Sequence, residues 1–137
     1  MSGPQIDAIG VAVSDMAVAI AFYSRLGLDF PPEAETQPHA EAMLGSSMRL
    51  MLDTEAMLRQ IDPAWSAIPG GRLGLAVRLA DPAALDALYA ELDAQGLGVK
   101  QPWDAFWGQR YAVVCDPDGL HLDLYAQLLD DSATPAP

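Results

Sequence analysis

Few side chains in this 137-residue chain can do chemistry, and they fall into three groups. The first is His121-Leu122-Asp123, an imidazole and a carboxylate two residues apart inside an alternating apolar run. Alternate residues of a strand share a face, so the pair would point the same way, with Cα atoms roughly 6–7 Å apart. His121 could then act as a general base oriented by Asp123, with Tyr111 or Tyr125 donating to a developing oxyanion. The second group is Arg49 and Arg78, each on a strand-like run. They can orient an organic ligand, or pair internally with Asp53 and Asp123. The third is Trp103-Asp104-Ala105-Phe106-Trp107, three large aromatics within five residues on an expected loop. Aromatics are enriched in ligand pockets and at subunit interfaces, and either use accounts for them.

What is scarce narrows the chemistry further. Cys115 is the only cysteine, which excludes an intrachain disulfide and a multi-cysteine metal site. Nothing basic lies near it in sequence, so it reads as an inert, buried thiol. Only two histidines are present, His39 and His121. The balance of 19 acidic against 7 basic residues, a net charge of −12, argues against nucleic acid, which needs clustered Lys and Arg. It also disfavours anionic membranes. It is compatible with a cationic ligand, and equally with solubility alone. The opening MSGPQIDAIG has no basic segment before an apolar run, and no stretch approaches the ~20 apolar residues of a membrane span. The expected compartment is the cytoplasm.

The elements that must position these residues are announced by an internal repeat. Ala8–Asp15 (AIGVAVSD) aligns with Gly74–Asp81 (GLAVRLAD), and the match continues without gaps through Ala17/Ala83, Ala21/Ala87, Tyr23/Tyr89 and Leu26/Leu92. In each copy the apolar period changes at the Asp. Ile9, Val11 and Val13 alternate as in a strand, as do Leu73, Leu75, Val77 and Leu79. After it, Ile20, Tyr23 and Leu26, or Leu85, Leu88 and Leu92, recur at helical spacing. Ser14 or Asp15 caps the first helix. Asp81 followed by Pro82 opens the second, and Gly27 and Gly96 end them. Three weaker strands are expected after each helix: Leu28–Phe30, Ala40–Leu44 and Met48–Asp53, then Leu97–Gln101, Gln109–Cys115 and Leu120–Ala126. The reading is an α+β fold of two βαβββ modules, residues 6–53 and 72–127. A flexible start covers residues 1–5, a connector residues 54–71 with a short helix at Glu55–Gln60, and a disordered tail residues 128–137. Asp116-Pro117-Asp118-Gly119 suits a type I turn.

On three stretches the chain resembles the vicinal oxygen chelate superfamily, the glyoxalase, bleomycin-resistance and extradiol-dioxygenase group. IDAIGVAVSDMAVAIAFYSRLGLDF looks like that family's opening strand, Asp turn and helix. RLGLAVRLADPAALDALYAEL looks like the start of its second module, and WGQRYAVVCDPDGLHLDLYAQ like its closing hairpin. The resemblance implies a cup-shaped sheet and, in metal-dependent members, a divalent ion held by the first and last strands of each module. Carried over residue by residue, those ligand positions are Ala8, Met51, Gly74 and Asp123. Ala and Gly have no side-chain donor, and a thioether is a poor ligand for hard divalent ions. The resemblance therefore implies no metal and no cofactor here, unless His121 and His39 assist Asp123.

Strand alternation then predicts which side chains face the helices: Leu50, Leu52, Leu73, Leu75, Val77, Leu122 and Leu124. On the opposite face it places Arg49, Met51, Arg78, His121, Asp123 and Tyr125, with Trp103, Phe106 and Trp107 at its mouth. Tyr111 belongs with them if its strand turns that way, which its two apolar faces leave open. The expected function is metal-free binding of a small organic ligand, cationic or aromatic, in the cup of a homodimer. The resemblance is to the sequestering proteins of the bleomycin-resistance type. The alternative is a lyase, isomerase or dioxygenase of the same superfamily, metal-free through His121 and Asp123 or with an atypical metal site.

Overall fold

The computed structural model describes residues 6–67 and 73–128. The expected flexible start, the last nine residues of the expected tail and positions 68–72 of the connector lie outside them. The chain forms two compact units, Met1–Ile68 and Pro69–Pro137, dividing inside the expected connector.

The first unit runs β1 (Ala8–Val13), α1 (Met16–Ser24), a 3₁₀ segment (Pro32–Thr36), β2 (His39–Leu44), β3 (Met48–Thr54) and α2 (Glu55–Ile61). Its sheet has the order β1-β3-β2, with β1 parallel and β2 antiparallel to the central β3. Alternation decides its faces: Val11, Val13, Ala40, Ala42, Leu50 and Leu52 are buried together with Ile20, Phe22 and Tyr23 of α1. Asp15, rather than Ser14, caps α1, accepting from the Val18 N–H at 3.1 Å. The short helix expected after β3 is present as α2, capped by the Thr54 hydroxyl, which accepts from the Met57 N–H.

One expected strand does not form. Leu28–Phe30 leads instead into the 3₁₀ segment at Pro32–Thr36. Pro31 and Pro32 have no N–H to donate to a ladder, and proline at a helical start favours the turn that follows. Phe30 is retained only as a buried apolar anchor. Among its described residues the first unit thus has three strands where four were expected.

The second unit keeps the whole βαβββ pattern: β4 (Leu75–Arg78), α3 (Pro82–Asp93), β5 (Gly98–Asp104), β6 (Gln109–Cys115) and β7 (His121–Gln127). The order is β4-β7-β6-β5, with β4 parallel to β7 and the rest antiparallel. Leu85, Tyr89 and Leu92 of α3 are buried, as are Ala112, Val114, Leu122, Leu124 and Ala126 of the sheet. Asp81 caps α3 through the Ala84 N–H at 2.8 Å. Arg110 ties the sheet to this helix: Nε and Nη2 donate to the two oxygens of Asp86 at 3.0 and 3.2 Å, and Nη1 donates to Asp104 at 2.9 Å. Leu73 departs from expectation. It lies before β4 rather than in it and is 65% exposed, so the buried side of that edge strand rests on half-buried Leu75 and Val77. Trp103 also departs, since it belongs to β5 and not to a loop.

The β6–β7 hairpin is held by one carboxylate. Asp116 is 1% exposed, and its Oδ1 accepts from the N–H groups of Asp118 and Leu120 at 2.8 and 2.9 Å. Gly119 completes the turn at φ +95°, a conformation that a side chain at that position would resist. Asp116→Ala leaves two turn N–H groups without that acceptor, and should lower unfolding free energy by about 1–3 kcal/mol in urea titrations. Asp116→Asn, which keeps one oxygen, should recover part of the loss. Equal stability of all three proteins would contradict this role.

Candidate functional site

The helix-free face of the second sheet carries most of the residues singled out from the sequence. Leu122, Leu124 and Ala126 point to the buried side, so Asp123, Tyr125 and Gln127 take the other. The register settles the facing of β6. Tyr111 lies opposite Tyr125 and Val113 opposite Asp123, while Ala112 and Val114 face inward. The Tyr111 hydroxyl donates to Asp123 Oδ2 at 2.7 Å. Burial first, then this bond to a carboxylate, push the phenol up to about 12, so Tyr111 remains a proton donor throughout the neutral range.

Around Tyr111 the aromatics assemble edge to face. Its ring centroid is 5.5 Å from Trp103 and 5.3 Å from Trp107, and Phe106 stands 4.9 Å from Trp107 at 83°. The Lys100 ammonium sits 4.0 Å from the centroid of the Trp103 ring. Phe106, on the turn between β5 and β6, is 96% exposed. A polar residue that sequence reasoning passed over supports the cluster: Gln109 is 1% exposed, and its Oε1 accepts from the Trp107 indole N–H at 2.9 Å. Its only sequence signal was a glutamine in an alternating strand, which is common.

On this sheet two expected partnerships are absent. His121 is exposed and makes no hydrogen bond to Asp123 among the described residues; the Asp123 oxygen is engaged by Tyr111 instead. The base-and-carboxylate pair of the enzymatic alternative is therefore not assembled. Arg78 is exposed and forms no ion pair with Asp123. Cys115 is half-buried, and burial followed by the charge of Asp116 raises its thiol pKa, in keeping with an unreactive side chain.

The face of the first sheet that carries Arg49, Met51 and Asp53 is organised around His39. Arg49 does not pair with Asp53. Its Nη1 donates to both Glu41 oxygens at 3.1 Å, and Nη2 reaches Asp7 at 3.4 Å. Asp53 lies opposite His39 across the β2–β3 ladder and meets Nδ1 at 2.5 Å, while Nε2 meets Glu41 at 2.8 Å. A carboxylate at each ring nitrogen favours the doubly protonated imidazolium, in which both nitrogens donate. The hydrogen bond to Asp53, then that to Glu41, raise its pKa above the usual value. Met51 sits half-buried in the same row, opposite Gly10 on one side and Glu41 on the other.

A family model described as the glyoxalase/bleomycin resistance protein/dioxygenase superfamily matches residues 5–124. The chain belongs to this superfamily. Its mixed α+β architecture, with sheets of three and four strands and three helices among the described residues, is consistent with that fold. It is similar to a glyoxalase/bleomycin resistance protein/dioxygenase from Nocardioides at 25% identity and a TM-score of 0.68, covering 100% of this chain and 91% of that one. A glyoxalase-related enzyme from Fulvimarina pelagi shares the fold at 18% identity and a TM-score of 0.73, covering 90% and 88%. A lactoylglutathione lyase from Agrobacterium tumefaciens does so at 17% and 0.61, covering 92% and 96%. Among curated proteins, none matches the chain. No helix among the described residues is long and apolar enough to cross a membrane.

The superfamily's metal positions can now be tested on register. Met51 pairs with Gly10, and Asp123 with Ala76, each two residues beyond Ala8 and Gly74. Met51 is thus the counterpart of Asp123, and the four positions carry Ala, Met, Gly and Asp. The one hard donor among them already accepts from Tyr111. No group of three His, Cys, Asp or Glu among the described residues could hold a metal ion. These side chains do not fit the superfamily's metal.

The His39 cluster makes a pH prediction. A folded-state pKa above 6.5 means its stabilisation is fully present below pH 6.5 and is lost as pH rises through the raised folded value. NMR titration of the His39 ring should show that raised value, with melting temperature falling across the same interval. Asp53→Asn should move the titration back toward 6.5. A wild-type value at or below 6.5 would contradict the assignment.

Proposed function

We propose that this chain is a small-molecule-binding member of the superfamily that acts without a metal, holding an aromatic ligand against the helix-free face of β6 and β7. The observation that carries the reading is the edge-to-face cluster of Trp103, Phe106, Trp107 and Tyr111 beside the Asp123 carboxylate. An almost fully exposed Phe106 is costly in water and gains from an apolar partner. Asp123 Oδ2 is bound by Tyr111, whereas Oδ1 has no hydrogen-bond partner among the described residues, which favours a ligand with a cationic or N–H donor group. Sequestration, rather than turnover, is supported by the unsuitable metal positions and by the unassembled His121–Asp123 pair.

Two measurements test this. In amide NMR titrations, N-methylquinolinium and neutral quinoline should both perturb Trp103, Trp107 and Tyr111, the cation binding more tightly. Trp107→Ala should weaken both by about tenfold, and Trp65→Ala in the first unit should change neither. Perturbations scattered over the surface, or unaffected by Trp107→Ala, would overturn the reading. Separately, elemental analysis of native protein should find no stoichiometric divalent metal; a full equivalent that survives dialysis would refute the metal-free part.

A further inference from the structure

The two units differ at one sheet edge. In the second unit β5 pairs antiparallel with β6 and covers it. In the first unit the segment that would do the same for β2 is diverted into the 3₁₀ turn, so β2 ends its sheet. The ladder fixes which backbone groups this leaves open. The Thr54 N–H donates to the Pro38 carbonyl at 2.9 Å, so by alternation Ala40 and Ala42 also bond to β3. The N–H and C=O groups of His39, Glu41 and Met43 then point away from β3, and none of them has a backbone partner among the described residues. A groove of about 390 Å³ runs here, lined by this edge at Glu41–Met43 and by the segment Asp29–Pro32.

Open edges invite strand addition, and natural sheets guard them with proline, charge or bulges. β5, the outer strand of the second sheet, is guarded by Lys100, Pro102 and two register irregularities. β2 keeps an unbroken register and has no proline, and its one carboxylate, Glu41, is already paired with His39 and Arg49. We propose that the β2 edge binds an extended, basic segment of a partner polypeptide, which adds to the sheet as an antiparallel strand in the place that β5 holds in the second unit. Main-chain bonds to Glu41 and Met43 supply the attachment. Phe30, Pro31, Pro32 and the 55% exposed Met43 meet its apolar side chains. Asp29 is exposed and has no ion pair among the described residues; with the exposed Glu33 and Glu35 on the turn that follows, it selects Lys or Arg. A second copy of this chain fits less well, because its own β2 edge brings the same carboxylates and sets like charges together. The groove belongs to the first unit, so the inference stands apart from the ligand face of β6 and β7.

The probe is the capped hexapeptide Lys-Val-Lys-Val-Lys-Val, titrated into the full chain by amide NMR. The Glu41 and Met43 N–H resonances should shift, and the acidic peptide Glu-Val-Glu-Val-Glu-Val should bind at least about tenfold more weakly at low salt. N-methylating one alternate set of peptide amides should abolish binding and N-methylating the other should leave it, because a strand turns only every second amide toward its neighbour. Met43→Pro removes an N–H that no ladder bond uses, a change that edge strands tolerate, so it should keep the fold and weaken the basic peptide by about tenfold. No binding, equal affinity for the acidic peptide, binding indifferent to N-methylation, or binding unchanged in folded Met43→Pro would each overturn the proposal. The N-methyl comparison uses the wild-type chain and decides the matter even where Met43→Pro does not fold. A wild-type dimer in sedimentation velocity that Met43→Pro dissociates would give the edge to a second copy and overturn it as well.

Discussion

Everything on the candidate face depends on the alternation of β7. Leu122, Leu124 and Ala126 are buried on one side of that strand, and their burial forces Asp123, Tyr125 and Gln127 onto the other. A one-residue slip would exchange the two sets, exposing three apolar side chains and burying a carboxylate, a phenol and an amide. The buried Asp116 carboxylate at the hairpin and the parallel pairing of β7 with β4 hold the strand against such a slip from its two sides.

The same constraint operates in the first unit with different chemistry. β3 is central there as β7 is nearly central in the second unit, and buried Leu50 and Leu52 turn Arg49, Met51 and Asp53 outward. In the second unit the corresponding row carries aromatics around a tyrosine–carboxylate bond; in the first it carries a chain of charges from Asp53 through His39 and Glu41 to Arg49. A duplicated scaffold has therefore been filled differently in its two copies. The positions that the resemblance assigns to metal ligands carry Ala8, Met51 and Gly74, which offer no hard donor, and Asp123, which accepts from Tyr111.

This division bears on function. In the second unit a polar minority orients an apolar majority, the usual composition of a site for an organic molecule. Tyr111, kept protonated by burial and by Asp123, holds that carboxylate through a hydrogen bond that does not switch off near neutrality. The first unit's cluster is saturated internally, since each charge already has an opposite partner within 3.4 Å.

How much was legible beforehand follows the range of the interaction. The Asp15 and Asp81 caps and the Asp116 turn are written within a few residues of chain, and each formed as its local chemistry dictates. The family resemblance placed Met51 as the counterpart of Asp123, and the ladders set the two opposite the corresponding residues Gly10 and Ala76. Local reading erred where a neighbour intervened, as when Pro31 and Pro32 ended a strand before it began. Partnerships were another matter. His39 with Asp53 and Tyr111 with Asp123 lie 14 and 12 residues apart, and the sequence offered Arg49 and Arg78 as equally good partners for those carboxylates. Which charge meets which depends on strand register and side-chain direction, and these exist only once the sheets have formed. By itself the sequence determined most of the elements, the buried face of β3 and β7, and the absence of side-chain donors at Ala8 and Gly74; the tertiary structure alone decided the facing of β6 and the bonds among the polar residues, because register and hydrogen bonds need distances that composition and spacing do not carry.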